Sequence, residues 1–93
     1  ELPFPMPPGE VLPDGSFISE SASVSGHISR SIIFSGASVN GAVVNSVVMS
    51  NSRINGVSES SVVGEGSVID SRILRCVIGN NKHIIIDLED DKR

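Results

Sequence analysis

A 15-residue period runs through the chain and constrains its fold more than any other feature. Ile18, Ile33, Val48, Val63 and Ile78 follow one another at steps of 15, and so do Val24, Val39, Ile54, Ile69 and Ile84. A weaker third column is Ile28, Val43, Ser58 and Ile73. The residues two places earlier repeat as well, but they are small. Ser16, Ser31, Ser46, Ser61 and Cys76 precede the first column, and Ala22, Ala37, Ser52, Ser67 and Lys82 the second. Gly26, Gly41, Gly56 and Ser71 precede the third.

Residues i and i−2 of a strand face the same way, so each short side turns one branched aliphatic and one small residue inward. Three sides close a triangular coil, and the next coil stacks on it at the spacing of paired strands, about 4.8 Å. The expected fold is all-β, a parallel β-helix of about five coils. Strands are predicted near 17–18, 24, 32–33, 39, 47–48, 54, 62–63, 68–69, 77–78 and 84, with almost no helix in residues 16–86. A helical reading fails because the repeat is rich in β-branched residues, Ser, Asn and Gly. Asn40-Gly41 and Asn55-Gly56 are hairpin signals in isolation. Their recurrence in step with the inward columns makes them stacked corners instead.

Aromatic residues are only 3% of the chain, so the core must be narrow and built from Val, Ile and small residues. Residues 1–15 hold all five prolines and read as a linker or strap, with Val11 and Leu12 placed to cover the open first coil. Residues 16–86 form the β-helix, and residues 87–93 a charged tail suited to capping the last coil. The start at Glu1 suits a processed chain or a piece of a longer one. A net charge of −4 argues against a nucleic-acid partner. No apolar run has membrane-spanning length and no segment has a signal-peptide layout. With a single cysteine there is no disulfide framework, and a cytoplasmic location fits.

The small-x-aliphatic pattern resembles the hexapeptide-repeat proteins, whose β-helix is left-handed. The run SFISESASVSGHISRSIIFSGASVNGAVVNSVVM, residues 16–49, resembles the C-terminal domain of ADP-glucose pyrophosphorylase (glucose-1-phosphate adenylyltransferase). In that family a coil reads much like the segment from Val24 to Ile33, and SRILRCVIGNN and IDLEDDKR resemble its later text. The Pro-rich lead-in resembles the linker out of its catalytic domain. The resemblance implies a left-handed β-helix serving regulation and oligomerisation in an enzyme of glycogen or starch synthesis. It also implies a homo-oligomer or the chain's own catalytic domain as partner, and a small phosphorylated effector. Two departures stand out. The coils keep 15 residues where the family usually has about 17 or 18. Gly79-Asn80 stands where the family often has Asp-Lys, so no effector site is carried over.

No catalytic, cofactor-binding or metal-binding residue is identified in the chain. A hexapeptide-type acyltransferase would need a histidine with an orienting partner and a pocket. His27 and His83 each precede an inward aliphatic and should point outward. Glu89, Asp90 and Asp91 read as a solvated tail, and Gly64-Glu65-Gly66 as a coil corner. Arg30, Arg53, Arg72 and Arg75 read by default as surface arginines, and the resemblance, in which anionic effectors bind between the two domains, implies that an outward one could contact phosphate. Cys76 falls in the small inward column and should be inert packing. A purely structural or ice-binding β-helix is a further reading, weakened because the Thr ladder of such helices has no counterpart in a chain without Thr. The interface candidates are Phe17, Ile32, Val47, Val62 and Val77, which precede the first inward column and should face out while remaining apolar in every coil. Phe34 and Met49 lie beside them. A continuous ladder of exposed aliphatics marks a docking surface where scattered ones do not. The competing expectation is that the strap, through Phe4, Val11 or Leu12, folds over the stripe.

Overall fold

Each step of the 15-residue period becomes one rung of parallel sheet in the computed structural model, which describes residues 9–93. The first side stacks β2 (Phe17–Ser19), β5 (Ile32–Ile33), β8 (Val47–Val48), β11 (Val62–Val63) and β14 (Val77–Ile78). The second stacks β3 (Ser23–Val24), β6 (Ser38–Val39), β9 (Arg53–Ile54), β12 (Val68–Ile69) and β15 (His83–Ile84). The third stacks β4 (His27–Ser29), β7 (Ala42–Val44), β10 (Val57–Glu59), β13 (Arg72–Leu74) and β16 (Leu88–Glu89). Pairing is parallel between coils at an offset of 15 residues throughout, as in Ile33 with Val48 and Val39 with Ile54. The described residues contain no helix. The molecule is a parallel β-solenoid of about five coils, consistent with a hexapeptide-repeat β-helix.

The inward columns make the core. Ile33, Val48 and Val63 on the first side, Val39, Ile54 and Ile69 on the second, and Val43 and Ile73 on the third are fully buried. Their β-branched side chains suit a pleated surface and stack on copies of themselves. The third side, the weakest column in the sequence, nevertheless carries three-residue strands in β4, β7, β10 and β13. Ser58 fills its middle rung without a defect, because its hydroxyl reaches Ser46 Oγ at 3.2 Å.

The small inward residues do more than fit. Ser46 Oγ accepts the backbone N–H of Ser61 at 3.1 Å and donates to the carbonyl of Val44 at 2.9 Å. The same bond from the coil above recurs from Ser31 N–H to Ser16 Oγ, from Ser46 N–H to Ser31 Oγ and from Cys76 N–H to Ser61 Oγ. A corner breaks the sheet ladder here, and the hydroxyl column satisfies the buried N–H groups that the ladder leaves over. Cys76 ends the column and is buried, its Sγ 3.3 Å from the Leu74 carbonyl. Ser46→Ala would strip the Ser61 N–H of its acceptor while keeping the packing. We expect it to lower stability by about 1–3 kcal/mol, read as a lower urea midpoint at unchanged slope. A midpoint equal to the parent's would mean that the serines act as spacers alone.

Two corners turn through left-handed backbone, the second of them only from the second coil on. One column is Gly15, Arg30, Asn45, Ser60, Arg75 and Asp90, and the other is Gly36, Asn51, Gly66 and Asn81. Gly66, at φ 72°, thus belongs to a coil corner, as expected for the Gly64–Gly66 stretch. Asn40-Gly41 joins β6 to β7 on a different side, which makes it a corner and not a hairpin.

The two ends are finished differently. β1 (Gly9–Val11) lies antiparallel on β2 and extends the first side by one strand. Val11 stays 66% exposed there and covers neither core nor stripe, while Leu12 is half-buried. Phe4 lies outside the described residues. Ile18, Ala22, Val24 and Ile28 of the first coil are therefore only partly buried. At the other end, Leu88 continues the third inward column and is buried. Lys92 bridges to Val77, so residues 87–93 continue the coil's rungs with charged residues.

Candidate functional site

On the outer face of the first side, sheet register fixes the apolar stripe. Phe17 pairs with Ile32, Ile32 with Val47, Val47 with Val62 and Val62 with Val77. Because alternate residues of a strand face opposite ways, burial of Ile33, Val48, Val63 and Ile78 forces their predecessors outward. Ile32 is 40% exposed, Val62 39% and Val77 47%, and Val47 is half-buried between them. Met49 adds an exposed thioether beside Val47, and Phe34 a half-buried ring. Phe17 departs from the expectation of an outward, open position. It is only 6% exposed, and its ring lies so close to Gly9 that a Cβ there would come within 2.6 Å of the ring tip. Strand β1 closes that end of the column, and the open stripe runs from Ile32 to Val77. Lys92, next in register, ends it with a charge.

The other singled-out residues are not gathered in one place. His27 is exposed on the third side and His83 on the second. His83 has a partner that the sequence did not announce, since its Nε2 lies 2.5 Å from Asp70 Oδ2. Asp70 also accepts from Asn55 Nδ2 at 2.6 Å, and these two hydrogen bonds, Asn55 first, hold its carboxyl below the usual 3.8. A signal was present, for Asp70 continues the corner column Ser25, Asn40, Asn55. Most of the arginines are engaged at corners or across rungs. Arg30 Nε donates to Asn45 Oδ1 at 2.8 Å, and Arg72 sits 3.7 Å from Glu59. Arg75 bonds Asp90 at 2.5 Å and Glu89 at 2.8 Å, which raises its own pKa and lowers that of Asp90. Glu89 and Asp90 thus share the single charge of Arg75, and Asp91 pairs with Arg93 at 3.1 Å. Arg53 is exposed on the second side.

No family model, curated protein or solved structure matches the chain. The resemblance to ADP-glucose pyrophosphorylases therefore rests on the residues quoted for it, and the β-solenoid rests on the structure.

Proposed function

We propose that the chain is a non-catalytic assembly module that associates with a second copy of itself through the stripe Ile32–Val47–Val62–Val77. The observation that supports this is an apolar outward ladder, exposed at Ile32, Val62 and Val77, half-buried at Val47 and ended by charge at Lys92. At about 4.8 Å per rung the stripe is only some 15 Å long, well short of the roughly 800 Å² per partner that a stable interface buries. Such a face gives weak self-association alone and firm association when a larger neighbour adds area. That is the behaviour of a regulatory and oligomerisation domain. The resemblance supports the finer reading that the module belongs to a glucose-1-phosphate adenylyltransferase-type sugar-nucleotide pyrophosphorylase, docked on its own catalytic domain and responsive to a small phosphorylated effector.

The test is light scattering over a range of concentrations on the parent and on the double variant Val47→Lys/Val62→Lys. The parent mass should climb with concentration. The variant should stay monomeric with an unchanged circular dichroism spectrum, because neither residue faces the core. A parent that remains monomeric throughout overturns self-association.

A second reading, a hexapeptide-type acyltransferase, draws on the His83–Asp70 pair, since a carboxylate is what orients a catalytic imidazole. It is the weaker of the two. The pair lies on an open outer face, with 60% of the His83 side chain exposed, where solvent screens the interaction.

A further inference from the structure

Asn40 and Asn55 are the two asparagines followed by glycine, and both lie in one corner column. An Asn-Gly bond is the peptide sequence most open to spontaneous deamidation, because no side chain on the following residue hinders the attack. The glycine backbone nitrogen attacks Cγ of the asparagine, the Cγ–Nδ2 bond breaks, and ammonia leaves with the glycine amide proton. Water then opens the succinimide at either carbonyl, to aspartate or to isoaspartate.

Both reacting atoms are held in place here. Ser25 Oγ donates to Asn40 Oδ1 at 3.0 Å, Asn40 Nδ2 to Asn55 Oδ1 at 2.8 Å, and Asn55 Nδ2 to Asp70 Oδ1 at 2.6 Å. Every bond in this ladder runs toward Asp70. On the nucleophile's side, Gly41 N–H donates to the Ile54 carbonyl at 3.3 Å and Gly56 N–H to the Ile69 carbonyl at 3.1 Å. The corners also stack backbone on backbone, since a Cβ on Gly41 would overlap the Gly56 carbonyl oxygen. A peptide plane packed in this way cannot swing its nitrogen toward Cγ.

We infer that Asn40 and Asn55 are latent modification sites, sealed while the coils are stacked and released when they separate. Conversion is also a one-way step. Isoaspartate inserts an extra backbone carbon into a coil whose register demands 15 residues of ordinary length. Aspartate at position 55 would set a second carboxylate against Asp70. A chain that opens long enough to react loses the ability to restack, so the ladder couples chemical ageing to local unfolding.

The experiment follows isoaspartate at both positions by peptide mapping in mildly alkaline buffer. It compares the native protein, the protein at rising sub-denaturing urea, the fully unfolded protein, and a synthetic peptide of residues 36–60. The native rate should lie about a hundredfold or more below the peptide's, as expected for a site reached only through opening. The unfolded protein should match the peptide, and the rate between should rise with urea in step with the opened fraction. Native deamidation within about threefold of the peptide rate, or a native rate indifferent to urea, overturns the sealing. After removal of urea, chains carrying isoaspartate should fail to regain the β spectrum that unmodified chains regain. Equal recovery overturns the one-way step.

Discussion

Val48→Asp should unfold the solenoid, or remove more than about 4 kcal/mol of its stability. Val48 is fully buried in the middle of the first inward column, between Ile33 and Val63 on the neighbouring rungs. An aspartate there has no cation within the dry stack. It must either stay ionised in a low-dielectric interior or take up a proton at a raised pKa, and both are costly. The lost burial of the valine adds roughly 1.5–3 kcal/mol. A domain of this size has about 5–14 kcal/mol in total, so one such change is decisive. The neighbour supplies the control. Val47 is half-buried and faces out, so Val47→Asp should shift stability by less than about 1 kcal/mol. Thermal melts of the two variants read the alternation directly. If the Val48→Asp protein melts within a degree or two of the parent, the inward assignment is wrong.

That alternation is also why so much of the fold could be read before the structure. A solenoid repeats one local decision, and a position identical in several coils reports its orientation several times over. Ile33, Val48, Val63 and Ile78 are buried for one reason, and a column averages out the noise of any single residue. What stayed hidden was whatever the columns do not repeat. The left-handed corner at Gly15, Arg30, Asn45, Ser60, Arg75 and Asp90 is one backbone conformation occupied by five residue types. Only glycine and, more weakly, asparagine and aspartate signal that conformation by themselves. Nothing in the sequence therefore marked Arg30 and Arg75 as residues that turn the chain. The role of the buried serines was likewise masked, because smallness alone explained their column. Their hydrogen bonds become visible only once the N–H group left over at the corner is located. As for the candidate site, the stripe from Ile32 to Val77 was legible from periodicity. The closure of Phe17 was not, since it depends on Gly9 approaching the ring, a contact that no repeat contains.

Gly41→Ala is expected to cost at least about 3 kcal/mol, the upper end for overpacking by one methyl group. The new carbon would overlap the Gly56 carbonyl oxygen and lie 2.8 Å from its carbon. Both are backbone atoms, so no rotamer change relieves the clash, and only a wider gap between coils can. That gap is set on all three sides at once by hydrogen bonds from one coil to the next, such as Ala42 N–H to the Gly56 carbonyl at 3.0 Å. Nor can the strain pass along the corner, because a Cβ on Gly26 would meet the Gly41 carbonyl and one on Gly56 the Ser71 carbonyl. The column holds its own control at Ser71, which already carries a side chain at this corner. Its Oγ makes only a long 3.4 Å contact with the Ile84 carbonyl, so Ser71→Ala should change stability by less than about 0.5 kcal/mol. Urea denaturation of the two alanine variants separates the cases. Equal midpoints would mean that the coils part easily at this corner. Glycine at 26, 41 and 56 would then have to be explained by something other than the close approach of stacked backbones.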